Sequence, residues 1–441
     1  MKKIFLCLAS LWSSSLLAYD NSGVVNASKE YNVTIGGKLK FDFYSGANKH
    51  KNTYLFTGNF LKDLYQSGQK LNTYELSSMA ALNSSRFTVS ADRCVAGVKY
   101  SFNLALTGDQ NSTKSVREIY LKAETDQAGA FIFGNTRGVE DRFVACPSDF
   151  LVGSGGTDGS FGRFVNITTQ CTMSPSLLGD PRESTKVCWI SPRTNGFQIG
   201  ASFAPNTQHY GEANMNTAYS DLKKPYQPFD INSFAWGINY LARFGEATLN
   251  LSFVHLRGES RGELPNRPLL ARANTRVYDV GCVLSLGPWV LGAEYINNGK
   301  SHRFSNDYLN VNPGIDGVKL GQKDYIASTA GKNWILNTGI GYITKTAGLT
   351  FSYLHSERRT GFVIPNTNEK SVKSVGNSYV LSAEYYLAPG LSPYIEGAIY
   401  TMKNPAWAHM SYAIVDITGL EFVGVPSNKA KVILTGIKLQ F

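Results

Sequence analysis

Polar and apolar residues alternate along most of this chain. Val33, Ile35, Gly37, Leu39, Phe41 and Phe43 share one side of an extended segment; Asn32, Thr34, Lys38, Lys40 and Asp42 share the other. Period-two alternation predicts a β-strand with one apolar face. Sixteen such segments follow one another, from Val33–Tyr44 and Ser85–Ala91 to Pro393–Thr401 and Lys431–Phe441. Short Gly-, Pro-, Asn- and Asp-containing turns join alternate pairs, at Asp92-Arg93, Asp126–Gly129, Pro192–Gly196, Arg243–Glu246, Gly287-Pro288, Lys345–Gly348 and Ala388–Gly390. Mostly much longer connections lie between them. Soluble domains seldom carry several long structureless loops. An antiparallel barrel that spans an outer membrane does, with short turns at one end and long loops at the other. An even number of strands returns the C-terminus to the side of the N-terminus. The pattern therefore predicts an all-β fold, a sixteen-stranded antiparallel transmembrane β-barrel.

Composition narrows the class further. Of 441 residues only 17 % are charged and 12 % are aromatic, against about 25 % charged in a typical soluble domain. So many aromatics exclude a disordered chain. No stretch approaches the roughly 20 apolar residues of a membrane-spanning helix, so a membrane protein of this sequence must close its backbone hydrogen bonds as a barrel. Phe, Tyr and Trp cluster near strand ends, among them Tyr100, Trp189, Tyr240, Trp289 and Tyr342, as interfacial girdles require.

The N-terminus begins Met1-Lys2-Lys3, continues with the apolar run Ile4 to Trp12 and reaches Leu16-Leu17-Ala18. That order predicts a secretory signal peptide over 1–18, leaving 19–441 as one barrel domain. Loss of Lys2 and Lys3 lowers the formal charge from +10 to about +8. A basic balance favours contact with anionic lipopolysaccharide and weak anion preference, and no nucleic-acid-binding module accompanies it. Cys94, Cys146, Cys171, Cys188 and Cys282 follow the leader; an odd number leaves at least one thiol unpaired. Cys146 and Cys171 share one long loop, where a disulfide and two reduced thiols both remain open. No C-x-x-C pair marks zinc, and no H-E-x-x-H, G-x-S-x-G or phosphate-loop pattern marks an enzyme. No cofactor, metal or catalytic residue is expected.

The final strand, Lys431 to Phe441 with Ile437, Leu439 and Phe441 in step, resembles the C-terminal strand of Gram-negative outer-membrane proteins, which the barrel assembly machinery recognises. Trp189 to Phe203 and Tyr278 to Trp289 resemble hairpins of the general trimeric porins of Gram-negative outer membranes. Arg117-Glu118-Ile119-Tyr120-Leu121, followed by Gly129 to Asn135, resembles the hairpin before the porin constriction loop. The resemblance implies a homotrimer in the outer membrane, in contact with lipid and lipopolysaccharide, that passes small hydrophilic solutes and ions passively.

It also implies that the third long loop, from about Gly138 to Ser184, folds into the barrel and narrows it. That loop carries Glu140, Asp141, Asp149 and Asp158, with a Gly-rich centre from Gly153 to Gly159 fit to lie close against a wall. Acidic loop residues facing basic wall residues would set a field across the pore, as charged rings do in channels. Arg86 lies opposite Phe87, Val89 and Ala91 in the alternation and so points inward. Arg117 is assigned to the wall by its match to the family hairpin. Two rival readings use the same strands: a closed-lumen surface or adhesin-type barrel, and a barrel-embedded hydrolase. The Lys, Asp, Thr and Gly residues on the inward face favour an open lumen.

Overall fold

The computed structural model describes residues 32–51, 55–57, 79–108, 116–160, 175–207, 229–261, 273–301, 333–359, 373–403, 421–423 and 427–441. The expected leader 1–18 and Cys171 lie outside them. Sixteen strands form one closed antiparallel barrel. In chain order they are β1 (Asn32–Lys51), β3 (Met79–Val95), β4 (Val98–Thr107), β5 (Val116–Thr125), β6 (Gly129–Asn135), β7 (Thr185–Ile190), β8 (Phe197–Asn206) and β9 (Phe229–Phe244). β10 (Ala247–Arg261), β11 (Thr275–Leu286), β12 (Trp289–Asn297), β13 (Asn333–Ile343), β14 (Ala347–Arg359), β15 (Lys373–Tyr385), β16 (Leu391–Lys403) and β18 (Ser427–Gln440) complete it. Two short strands, β2 (Leu55–Thr57) and β17 (Glu421–Val423), pair with each other outside the barrel sheet. No helix among the described residues is long and apolar enough to cross a membrane.

Each barrel strand pairs with the next barrel strand along the chain, and β1 closes the ring by pairing with both β3 and β18. The first and last barrel strands lock together. The Gly37 N–H donates to the Phe441 carbonyl at 2.9 Å, and the Phe441 N–H donates to the Gly37 carbonyl at 3.1 Å. A Cβ on Gly37 would lie 2.6 Å from the Phe441 ring, so a side chain there requires that ring to shift.

The apolar face of each strand points outward. Val33, Ile35, Phe41, Phe43, Leu251, Leu291, Phe351 and Ile433 are exposed, which suits lipid and not water. Aromatic pairs ring β8 to β15 at two levels. Phe197–Tyr240 and Trp289–Tyr342 lie near the short turns, and Tyr295–Trp334, Trp334–His355 and Tyr353–Tyr379 lie toward the long loops. The inward face carries Asp42, Glu118, Asn239, Ser252, Asn337, Ser352 and Glu396, all buried inside the barrel. Two apolar clusters also line the inner wall. One gathers Tyr44, Tyr400, Met402, Val432 and Leu434; the other gathers Leu256, Val277, Ile335 and Leu354 with Leu177 of the third loop.

One turn differs from its sequence expectation. β3 runs on through Asp92 and Arg93 to Val95, and the hairpin turns at Ala96-Gly97. Both turn residues have positive φ, 50° and 77°, the two-residue geometry that matches strand twist. A polar pair within an exposed strand end imitates a turn in sequence.

Candidate functional site

Residues 136–160 and 175–184, between β6 and β7, lie inside the barrel against its inner wall. The sequence prepares a floor for them. Inward positions on six strands, β8, β9 and β11 to β14, are glycines: Gly200, Gly237, Gly281, Gly292, Gly339 and Gly348. Added Cβ atoms would strike the loop, at 2.9 Å from Phe143 for Gly200, 2.6 Å from Phe150 for Gly292 and 2.7 Å from Val152 for Gly348. Strand glycines mark close approach of another backbone, and here that backbone is the third loop.

Wall side chains then receive the loop's backbone donors. Ala145 N–H donates to Ser252 Oγ at 2.9 Å, and Thr157 N–H to Ser352 Oγ at 3.1 Å. Gly153 N–H donates to Glu384 Oε2 at 2.7 Å, and Ser154 Oγ–H to Glu396 Oε1 at 2.6 Å. Lys40 on β1 donates to Ser160 at 2.6 Å. The Gly-rich centre therefore lies along β14 to β16 and reaches β1. Satisfied buried donors make this seat specific.

At the root of the loop, a single helical turn, Val139–Arg142, carries two of the expected acids. Glu140 turns into the wall. Its carboxylate meets Lys186 at 2.6 Å and accepts from Ser202 at 2.6 Å, and neither side chain of the ion pair is exposed. Burial opposes its charge, but Lys186 and Ser202 outweigh burial and hold the carboxyl below its ordinary range. Glu140 thus anchors the loop and is closed off from the lumen. Asp141 points the other way and joins a charged chain. Arg137 binds Asp141 through both oxygens, at 3.0 and 2.9 Å, and reaches Glu183 at 3.3 Å and Glu118 at 3.8 Å. Arg117 meets Glu183 at 2.8 Å, and Arg86 meets Glu118 at 3.4 Å. Three arginines and three carboxylates form one network from wall to loop.

Arg86 faces inward as the alternation requires, in register with Lys38. Arg117 arrives differently. The pairing of β4 with β5 shifts there, with Ala105 opposite Glu118 and Leu106 opposite Val116. Arg117 is the extra residue of a β-bulge, which re-aims its side chain toward Glu183. Asp149 and Asp158 lie exposed on the loop. Burial by the surrounding barrel raises both carboxyls, Asp158 to about 6, and Arg137 opposes the rise at Asp158. Asp158 still meets water, which screens much of that effect. Cys146 is half-buried, and its thiol approaches Asp149 Oδ1 at 3.8 Å. Cys171, the other half of the possible disulfide, is outside the described residues.

Sequence reasoning passed over Arg137, Glu118 and Lys186. Arg137 and Asp141 stand four apart, a helical ion-pair spacing. Glu118 lies within the Arg117–Leu121 segment that resembles the porin hairpin. Lys186 gave no local signal, because its partner is 46 residues away. Among the described residues no group of His, Cys, Asp and Glu is placed to hold a metal ion.

Residues 13–405 match the family model described as Gram-negative porin. The chain belongs to the Gram-negative porin family. As a porin it resides in the outer membrane. Uncharacterised proteins of Rickettsia conorii and Rickettsia felis are 20 % and 22 % identical to it, each alignment covering 92 % of this chain and 94 % of the relative. Its fold is similar to that of the outer-membrane channel DcaP of Acinetobacter baumannii, at 12 % identity and a TM-score of 0.54 over 95 % of this chain and 99 % of that one. An anion-selective porin from Comamonas acidovorans gives 10 % and 0.54 over 93 % and 100 %. The trimer form of OmpT of Vibrio cholerae gives 12 % and 0.52 over 93 % and 100 %. At such identities the likeness is one of fold.

Proposed function

We propose that this porin forms a water-filled channel through which small hydrophilic solutes and ions diffuse passively, without catalysis, and that it works as a homotrimer. One observation carries the reading. The described part of the third loop is seated on glycines of the inner wall, and Arg86, Arg117, Arg137 and Asp141 stay partly exposed in the network that they form with Glu118 and Glu183. Charged groups held by mutual ion pairs, and not collapsed into an apolar plug, are what a conducting lumen needs. Arg86, Arg117, Asp141, Asp149 and Asp158 are the proposed selectivity residues, and Glu140 the anchor. The trimer form of OmpT, similar in fold, supports the homotrimer.

The closed surface barrel keeps one argument, the two apolar clusters on the inner wall. Planar-bilayer recording separates the two readings. An open porin gives stepwise, weakly selective currents in groups of three. Arg86→Gln and Arg117→Gln then move the reversal potential toward cation preference. A folded, inserted barrel that passes no current would overturn the channel and leave the closed barrel.

A further inference from the structure

On the short-turn side of the third loop, β3 to β8 and the root of the loop enclose a cavity of about 430 Å³ with largely polar walls. Two of its cations are neutralised within the wall. Lys99 meets Asp92 at 3.3 Å, and Lys122 meets Glu124 at 2.7 Å. Arg142 is held differently. Its Nε–H donates to the Arg137 carbonyl at 2.8 Å, its Nη2 donates to Thr136 Oγ1 at 2.8 Å, and its guanidinium lies 5.6 Å from the Tyr120 ring centroid. All three partners are neutral, and no carboxylate among the described residues pairs with it. The guanidinium is thus fixed in place with its charge uncompensated, at the lining of a concave site.

A guanidinium remains charged at any working pH, and its planar fork matches a carboxylate. Fixing the fork beforehand removes the ordering cost that a free arginine side chain carries on binding. Ser90, Ser101 and Asn103 line the same cavity and offer hydroxyl and amide partners. The two ion pairs leave one uncompensated positive charge, and a second carboxylate on the ligand would face Asp92 or Glu124. We propose that this cavity is a subsite for small hydroxylated monocarboxylates, such as sugar acids, on the periplasmic side of the third loop. Arg142 holds the carboxylate, and the serine and asparagine side chains meet the hydroxyls. The proposal rests on the open-channel reading and gives its solute a chemical class.

The test is calorimetric titration of the detergent-purified full-length protein with sodium gluconate, with glucose as the uncharged control. Potassium chloride currents are recorded on the same preparation. Gluconate binds and glucose does not; Arg142→Gln weakens gluconate binding about tenfold or more, the scale of a lost charged hydrogen bond, and Arg142→Lys restores part of it. Asn103→Asp leaves the hydrogen bonds of Arg142 untouched and adds a repelling charge, so it also weakens binding. It carries the test if the Arg142 variants fail to fold. Wild-type protein that does not bind gluconate, or binding unchanged in Arg142→Gln and Asn103→Asp, overturns the subsite. Currents without gluconate binding sink the subsite alone, whereas gluconate binding without current sinks the channel alone.

Discussion

Glu140 and Lys186 show how one side-chain pair sets the position of a loop. Both are fully buried, 46 residues apart in the chain, and joined at 2.6 Å. Removing one member of a buried pair leaves an uncompensated charge, typically a loss of about 3–5 kcal/mol, whereas replacing both by apolar groups is often neutral. Lys186→Met and Glu140→Leu should therefore each lower the unfolding temperature of the barrel, and the double variant should recover most of the loss. Thermal unfolding in detergent checks this. Asp158 supplies a pH test. Its carboxyl is raised to about 6, so it is charged at pH 7.5 and neutral at pH 5. Acidification removes a negative charge from the loop, and the reversal potential should move toward anions between those values. In Asp158→Asn that movement should shrink. The sign for stability follows from the same shift. A carboxyl whose folded pKa lies above its unfolded value near 3.9 is disfavoured when charged, so stability rises as pH falls through 6.

The elements were legible to very different degrees. All sixteen barrel strands could be read from alternation, because an outward apolar face repeats at every second residue regardless of what lies inside. The same rule oriented Arg86. It failed for Arg117, because a bulge inserts one residue and breaks the period there. It placed Glu140 in the right loop and left its direction open, because Lys186 lies on a strand that only the folded chain brings near. The glycine floor was present in the sequence as inward glycines on β8 to β14, yet each glycine alone is unremarkable. Their meaning appears only when adjacent strands are laid side by side. Gly292→Val should push Phe150 off its seat. Overpacking of this kind costs about 1–3 kcal/mol, and the displaced loop should show as noisier single-channel current with altered amplitude. Unchanged current would mean that the loop holds its place without that floor.

The whole molecule inverts the usual arrangement of a folded protein, with apolar side chains outward and polar groups inward, and lipid takes the place of a core. Its closing seam, the β1–β18 ladder, ends at the contact between Gly37 and Phe441. Gly37→Leu fills the space of the terminal ring, and deletion of Phe441 removes two backbone hydrogen bonds. Either change should reduce the yield of heat-modifiable, protease-resistant barrel in the outer membrane without altering the conductance of barrels that do form. Immunoblotting of membrane fractions measures the first effect and bilayer recording the second.

That seam also sets a timetable. β1 is made early, and one of its two edges has to wait for β18, the last of the barrel strands in chain order. Throughout synthesis and transit, a row of unpaired peptide groups on β1 is open to any passing strand. β16 waits with an open edge as well, because β18 is the strand that lies between it and β1 in the closed sheet. Safe delivery of this protein is therefore a matter of keeping the first strand out of the wrong company until the last one arrives.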